Sequence, residues 1–280
     1  MQKPARVWKA GRFDLPWCAG KPLVMGIVNV TPDSFSDGGK FLQVDRAIQH
    51  ARLLLEQGAD ILDVGGESTR PGSQGIDAEE EWSRIGDVLK ELVSWNVPVS
   101  IDTMKTGVMA RALELGVDVL NDVNAFRDAG ALSLLAQCNA GAVMMHMQGS
   151  PRTMQQTPVY DDVVNDVKAF LEGRIEILAA LNVSMSRVLV DPGFGFGKTL
   201  QHNVDLLKST SSFSHLGAGV LIGVSRKRMI ADLTGVADPE LRVAGSIAAA
   251  LYAAEMGAAV LRVHDVADTV SALKVWGALQ

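Results

Sequence analysis

Apolar positions along this 280-residue chain follow two alternating patterns. Short runs, apolar nearly throughout and mostly β-branched, recur as LVMGIVNV (23–30), ADILDVGG (59–66), VPVSID (97–102) and VDVLND (117–122). Four more follow: GAVMMHM (141–147), RVLVDP (187–192), VLIGVS (220–225) and AAVLRVHD (258–265). Strands of a parallel sheet covered on both faces have this composition, because neither face meets water. Longer segments with a helical period lie between them. In VDRAIQHARLLLEQG (44–58), Ala47, Ile48, Ala51, Leu54 and Leu55 form one apolar stripe. Several such segments stop at a glycine just before the next strand, at Gly58, Gly116 and Gly257, where a left-handed C-cap is expected. Eight βα units in about 250 residues predict a single-domain α/β protein, a closed (β/α)8 TIM barrel. An open doubly wound sheet is the alternative. Residues 1–22 predict a small cap over the bottom of the barrel, leaving 23–280 for the barrel itself. The chain has no linker, no low-complexity segment and no sequence repeat beyond the strand–helix rhythm.

Composition narrows the class. Hydrophobic residues make up 48% and charged residues 21%, a balance that suits a globular protein with a sizeable core. The net charge of −6 argues against a nucleic-acid groove or an anionic membrane surface. An anionic ligand would therefore need a local cluster of basic residues. Cys18 and Cys138 are far apart and read as reduced, mostly buried thiols. The N-terminus lacks the apolar stretch of a secretory signal. One uncharged run, 129–151, is interrupted by Gln137, Asn139, Gly141 and His146, so it predicts a helix followed by a buried strand, not a membrane span. A cytoplasmic enzyme is expected.

Barrel enzymes build their sites at the C-terminal ends of the strands. Those ends carry Asn29, Asp63, Asp102, Asn121 with Asp122, His146, Asp191, Ser225, and Arg262 with His264. Helix capping competes as an explanation for Asp102 and Asp122, and less so for Asp191, which Pro192 follows. The loop 31–39 is rich in Pro, Asp, Ser and Gly, and 67–75 offers Thr69 and Arg70. Arg70, Arg226, Lys227 and Arg262 together suit a phosphate or pyrophosphate. The acids and the Asn121 amide suit a flat heterocycle bearing amino and ring N–H donors. The stretch DPGFGFGK (191–198) fails both phosphate templates. Pro192 stands where a P-loop needs its first glycine, and Lys198 where a dinucleotide fingerprint needs its third.

Taken together, MGIVNVTPDSFSDGG, DILDVGGESTRPG, SIDTMK, VLNDV, MHMQGSPRTMQ, DPGFGFGK, GVSRK and RVHDV resemble the dihydropteroate synthase family, in family order from residue 25 to 266. NAFRDAG (124–130) is the least family-like stretch. The resemblance implies a transferase of folate biosynthesis that joins 4-aminobenzoate to (7,8-dihydropterin-6-yl)methyl diphosphate and releases pyrophosphate. It implies that Asp102, Asn121, Asp191 and Lys227 hold the pterin. Asn29, Thr69, Arg70, Arg262 and His264 would hold the diphosphate, with Mg²⁺ near Asn29. Ser225 joins the substrate-binding set, and Asp102, Asp191, Lys227, Arg262 and His264 the catalytic one. Phe196 would wall the aminobenzoate, and the glycines at 193, 195 and 197 would let the backbone approach the ring. Lys198 reads as a solvated charge. Loops 31–39 and 67–75, with Asp33, Phe35 and Pro71, are expected to order on the diphosphate and so impose an order of binding. The segment 243–257 is apolar around most of its circumference, which predicts a homodimer, as the resemblance also implies. Two other readings stay open. A pterin-dependent methyltransferase with a corrinoid partner would have no use for STRPG or SRK, and a non-catalytic pterin-binding paralogue would be expected to have a broken motif.

Overall fold

The computed structural model of the chain describes residues 5–31, 40–69, 72–73, 75–150 and 153–279. Eight parallel strands close on themselves: β3 (Leu23–Asn29), β4 (Ile61–Gly65), β5 (Val99–Asp102), β6 (Val119–Asp122), β7 (Gly141–Met145), β8 (Val188–Asp191), β9 (Gly219–Ile222) and β10 (Val260–Val263). Closure is made by β10 against β3, with Val260 opposite Leu23 and Val263 opposite Gly26. That pairing excludes the open sheet. Each apolar run of the sequence holds one strand, although β9 starts at Gly219 and stops at Ile222, leaving Ser225 in the following loop.

Alternation along the strands sorts their side chains into two layers. Val24, Val28, Leu62, Val64, Ile101, Leu120, Ala142, Met144, Val190 and Val263 face outward and pack with Ala47, Ala51, Leu54, Ile85 and Leu89 of the helical layer. The helices are α1 (Lys40–Glu56), α2 (Ala78–Leu92), α3 (Thr106–Leu115), α4 (Ala131–Gln137), α5 (Val163–Ala180), α6 (Leu200–Lys208), α7 (Arg228–Thr234), α8 (Val243–Glu255) and α9 (Val266–Ala278). Gly58, Gly116 and Gly257 have φ of 99°, 97° and 92°, the left-handed conformation expected of them. The uncharged run 129–151 folds as α4 and β7. Among the described residues no helix is long and apolar enough to cross a membrane. Cys18 and Cys138 are free and half-buried, more exposed than expected.

The inner face of the barrel is apolar at one end and polar at the other. Met25, Ile61, Val119, Val143, Leu189, Leu221 and Val260 fill the end where the strands begin, and Trp8, Ala10 and Trp17 pack onto them. These three belong to an antiparallel hairpin, β1 (Arg6–Ala10) and β2 (Phe13–Trp17), whose strands the sequence pattern did not reveal. The Trp8 indole donates to the carbonyl of Arg187 at 2.9 Å, so its polar atom is satisfied inside the seal. With that end closed by apolar side chains, the polar groups are left at the C-terminal mouth.

Candidate active site

Register brings the polar strand ends into one tier. Asn29 lies opposite Gly65, Gly65 opposite Asp102, and Asp102 opposite Asn121, while Asp191 pairs with Met145 across β7 and β8. Arg262 reaches from β10 into this tier. Its Nε donates to Asp63 Oδ2 at 2.6 Å and its Nη2 to Asp102 Oδ2 at 2.7 Å. Asn121 Nδ2 lies 3.2 and 3.4 Å from the two Asp63 oxygens. One guanidinium, two carboxylates and one amide thus form a continuous network. Burial pushes the Asp102 carboxyl up to about 7, with Arg262 opposing and Asp63 adding to the rise. Burial also works against the Arg262 cation, but Asp63 and Asp102 outweigh it and raise the pKa above the ordinary arginine value.

Asp191 stands beside this network. Its Oδ1 accepts the Gly193 amide at 2.7 Å. Burial raises its pKa, while Lys227, that amide, Lys198 and Arg262 pull it back down. Lys227 is driven down to about 8 by burial, with Asp191 opposing. Its Nζ donates to the Phe194 carbonyl at 2.7 Å and stands 4.9 Å from the centre of the Phe196 ring. Phe196 packs with Val123, Met145, Met147 and Met154, an apolar cluster that adjoins the polar tier at Met145, opposite Asp191.

After β9 and β10, Ser225 Oγ and His264 Nδ1 are 3.2 Å apart, and the His264 amide donates to the same Ser225 oxygen. Asn29 is half-buried, as is Thr69. Arg70 lies outside the described residues, as do Asp33, Phe35 and Pro71, so the expected behaviour of loops 31–39 and 67–75 falls largely there too. At the base of the second loop, Lys105 Nζ bridges Glu67 and Glu81 at 2.6 Å each, and Glu67 accepts the Ile76 amide at 3.1 Å.

Several expectations need correction. Arg226 does not join Lys227 and Arg262 at the mouth, because Asp265 and Glu240 both pair with it. Asp102 does not cap a helix: Lys105 occupies the N-cap of α3. Asp122 does serve the backbone, accepting the amides of Asn124 at 2.7 Å and Phe126 at 2.6 Å. Those bonds hold Ala125 and Phe126 in left-handed conformations, φ 52° and 56°, within the stretch least like the family. Lys198 is not a solvated charge, being only 3% exposed. Nor do the loop glycines simply make room for a ring. A Cβ on Gly193 would sit 1.9 Å from the His146 carbonyl oxygen and one on Gly197 2.6 Å from that of Gln148, so the protein's own backbone demands them. Asp63 is the anchor of the Arg262 network, a role that its place among the polar strand ends does not single out. Its signal was a charge in the middle of an apolar strand, ILDVG.

Comparison with known proteins gives this mouth a chemical context. The model of the family described as pterin binding enzyme matches residues 25–264. The chain is 51% identical to the dihydropteroate synthase of Neisseria meningitidis serogroup C over 98% of its length and 97% of that protein. It is 44% identical to that of Escherichia coli strain K12, covering 91% of the chain and 90% of the relative. The structure of Xanthomonas albilineans dihydropteroate synthase with 4-aminobenzoic acid superposes with a TM-score of 0.92 at 48% identity, over 99% of both chains. That of the Burkholderia cenocepacia enzyme complexed with 7,8-dihydropteroate does so with 0.89 at 43%, over 99% of this chain and 98% of that one. Identity at this level across nearly the whole barrel shows that the chain belongs to the dihydropteroate synthases, within the pterin-binding enzymes.

Proposed function

We propose that this chain condenses 4-aminobenzoate with (7,8-dihydropterin-6-yl)methyl diphosphate to give 7,8-dihydropteroate and pyrophosphate. The observation that carries the reading is the tier in which Arg262 ties Asp63 and Asp102 together beside Asn121, Asp191 and Lys227. A pterin presents amino and ring N–H donors along one edge and acceptors along another. Asp102, Asn121 and Asp191 accept and orient that edge, and Lys227 donates to it.

The lone pair of the aniline nitrogen forms the new N–C bond at the pterin methylene as the C–O bond to the diphosphate breaks. The diphosphate leaves with the C–O bonding pair, and the nitrogen releases a proton to solvent. The nitrogen is neutral near pH 7, so it needs positioning more than a base. Phe196 and the methionines around it supply an apolar wall for its ring. Negative charge grows on the departing diphosphate, where Thr69, Arg70, Ser225, His264 and Arg262 stabilise it more strongly than in the ground state. Asn29 offers a neutral, hard amide oxygen, and among the described residues no three carboxylate, histidine or cysteine side chains are placed to hold a metal ion by themselves. That donor set fits Mg²⁺ held mainly through substrate phosphates. When bound there, Mg²⁺ would neutralise leaving-group charge.

Residues 1–22 serve as a cap and 23–280 as the pterin-binding unit. The active form is a cytoplasmic homodimer built on α8. Release of pyrophosphate on mixing the two substrates, followed with a coupled phosphate assay, tests the reaction. A protein that binds pterin yet releases none would be the non-catalytic paralogue, and methyl transfer from a methylated pterin would favour the methyltransferase.

A further inference from the structure

The turn after β8 is held by its carbonyls, one after another. Lys227 donates to the carbonyl of Phe194 and the Gln155 amide to that of Gly195. Lys198 Nζ donates to Phe196 at 3.0 Å, and the Tyr160 hydroxyl to Gly197 at 2.8 Å. Glycines at 193, 195 and 197 have left-handed backbone, φ 74°, 80° and 64°, along the same turn. Of the four donors, Lys198 is the one whose chemistry stability does not explain. Its ammonium is buried and shared between Phe196 O, His146 Nδ1 at 3.0 Å and, more distantly, His146 O at 3.4 Å, all of them uncharged acceptors. A methionine would fill the same volume without the cost of desolvating a cation. The charge that favours its protonation is Asp191, against the burial that brings it down to about 7.

Resting on the function proposed above, we infer that Lys198 is a positioning residue. Paired with His146, it fixes the 193–197 turn so that Phe196 and Asp191 address the same bound pair of substrates. His146 locks the other side of the joint, its amide donating to the Asp191 carbonyl at 2.9 Å. Its ring stacks edge-on against Phe170, with centroids 5.0 Å apart. Burial, with Lys198 and Arg127 adding to it, holds the imidazole near a pKa of about 3, so it stays neutral and its Nδ1 accepts from Lys198.

The test compares wild type with Lys198→Met and, should that variant not fold, Lys198→Gln. With Lys198 replaced, KM for 4-aminobenzoate should rise roughly tenfold while kcat changes much less. Amide hydrogen exchange should quicken within 193–197 and nowhere else. The charges facing Asp191 are Lys227 after β9, Arg262 on β10 and Lys198 in its own loop, with the Gly193 amide. Loss of one cation raises the Asp191 pKa, so the acid limb of kcat/KM for the pterin diphosphate should move to higher pH. An unchanged KM with an unmoved limb would overturn the inference, as would unaltered exchange at 193–197 or unfolding of both variants. Absence of turnover in the wild type would sink the proposed function instead, and the exchange experiment would still judge Lys198.

Discussion

At the residue scale, Asp102 and Arg262 behave as one unit, and their chemistry follows from the two carboxylates that share the guanidinium. Asp102 titrates at about 7 because it is buried and close to Asp63, with Arg262 holding it down only in part. In the proposed site the ionised carboxylate accepts the pterin N–H groups more strongly than the protonated acid does, and the raised pKa keeps the proton on at acid pH. Affinity for an uncharged pterin should therefore fall as the pH drops through about 7, and that step should vanish in Asp102→Asn. Titration calorimetry at several pH values reads this, and a step that survives in the variant would assign it elsewhere. Removing the cation has a broader effect. In Arg262→Met the fully buried Asp63 keeps, among the described residues, Asn121 as its side-chain partner, at a stability cost on the order of 3 kcal/mol for a stranded buried charge. Because Arg262 holds Asp102 and, in the proposed function, also faces the diphosphate, the variant should lose pterin and pyrophosphate affinity together. A loss confined to pyrophosphate would show that its tie to Asp102 is incidental to binding.

At the element scale, the loop 191–198 separates two kinds of glycine. At Gly193 a Cβ collides with the His146 carbonyl at 1.9 Å, whereas at Gly195 the nearest atom is the flexible Lys227 Cδ at 3.7 Å. Both have positive φ, 74° and 80°. Gly195→Ala should cost only the left-handed penalty, about 1–2 kcal/mol, and keep most turnover. Gly193→Ala must displace the loop from β7 and with it Asp191, so turnover should fall by orders of magnitude. Equal activity in the two variants would mean that the joint between His146 and Asp191 is not needed. The element that escaped the sequence, the β1–β2 hairpin, carried only a weak signal: FDLPW alternates apolar and polar positions, but Pro16 argues against a strand, and RVWKA sets two apolar residues side by side. Its role is set by what Trp8 and Trp17 meet at the bottom of the barrel, which is tertiary information.

At the scale of the whole molecule, α8 leaves Ala244, Ala248 and Tyr252 exposed along one stripe, four residues apart, while Ser246, Ala250, Ala253 and Ala254 are buried against the barrel. Leu233 on α7 and Val275 on α9, helices that pack on either side of α8, are 58% and 62% exposed. An apolar face of this extent suits a second copy of the chain. Ala248→Arg, which places a charge in the middle of the stripe, should halve the mass measured by light scattering at micromolar concentration and leave the barrel folded. A wild-type protein already monomeric under those conditions would refute the dimer.

The hydrophobic pattern by itself determined the eight strands and their order, because strands covered on both faces leave no choice of composition. It also pointed to the C-terminal ends as the place for chemistry, because polar residues gather there at nearly every strand, whereas the N-terminal ends carry far fewer. Glycines before strands were legible for the same local reason: a left-handed cap concerns one residue's φ. What tertiary structure alone decided were the partnerships. Arg262 lies 199 positions from Asp63 in the chain, and the barrel's closure puts them 2.6 Å apart. Arg226, next to Lys227 in sequence, is claimed by Asp265 and Glu240. Lys198 ends a glycine loop like a surface charge, yet the turn carries it inward to His146. A charged side chain announces its chemistry in the sequence, but whether that charge is free, paired or buried depends on what folding brings within a few ångströms of it.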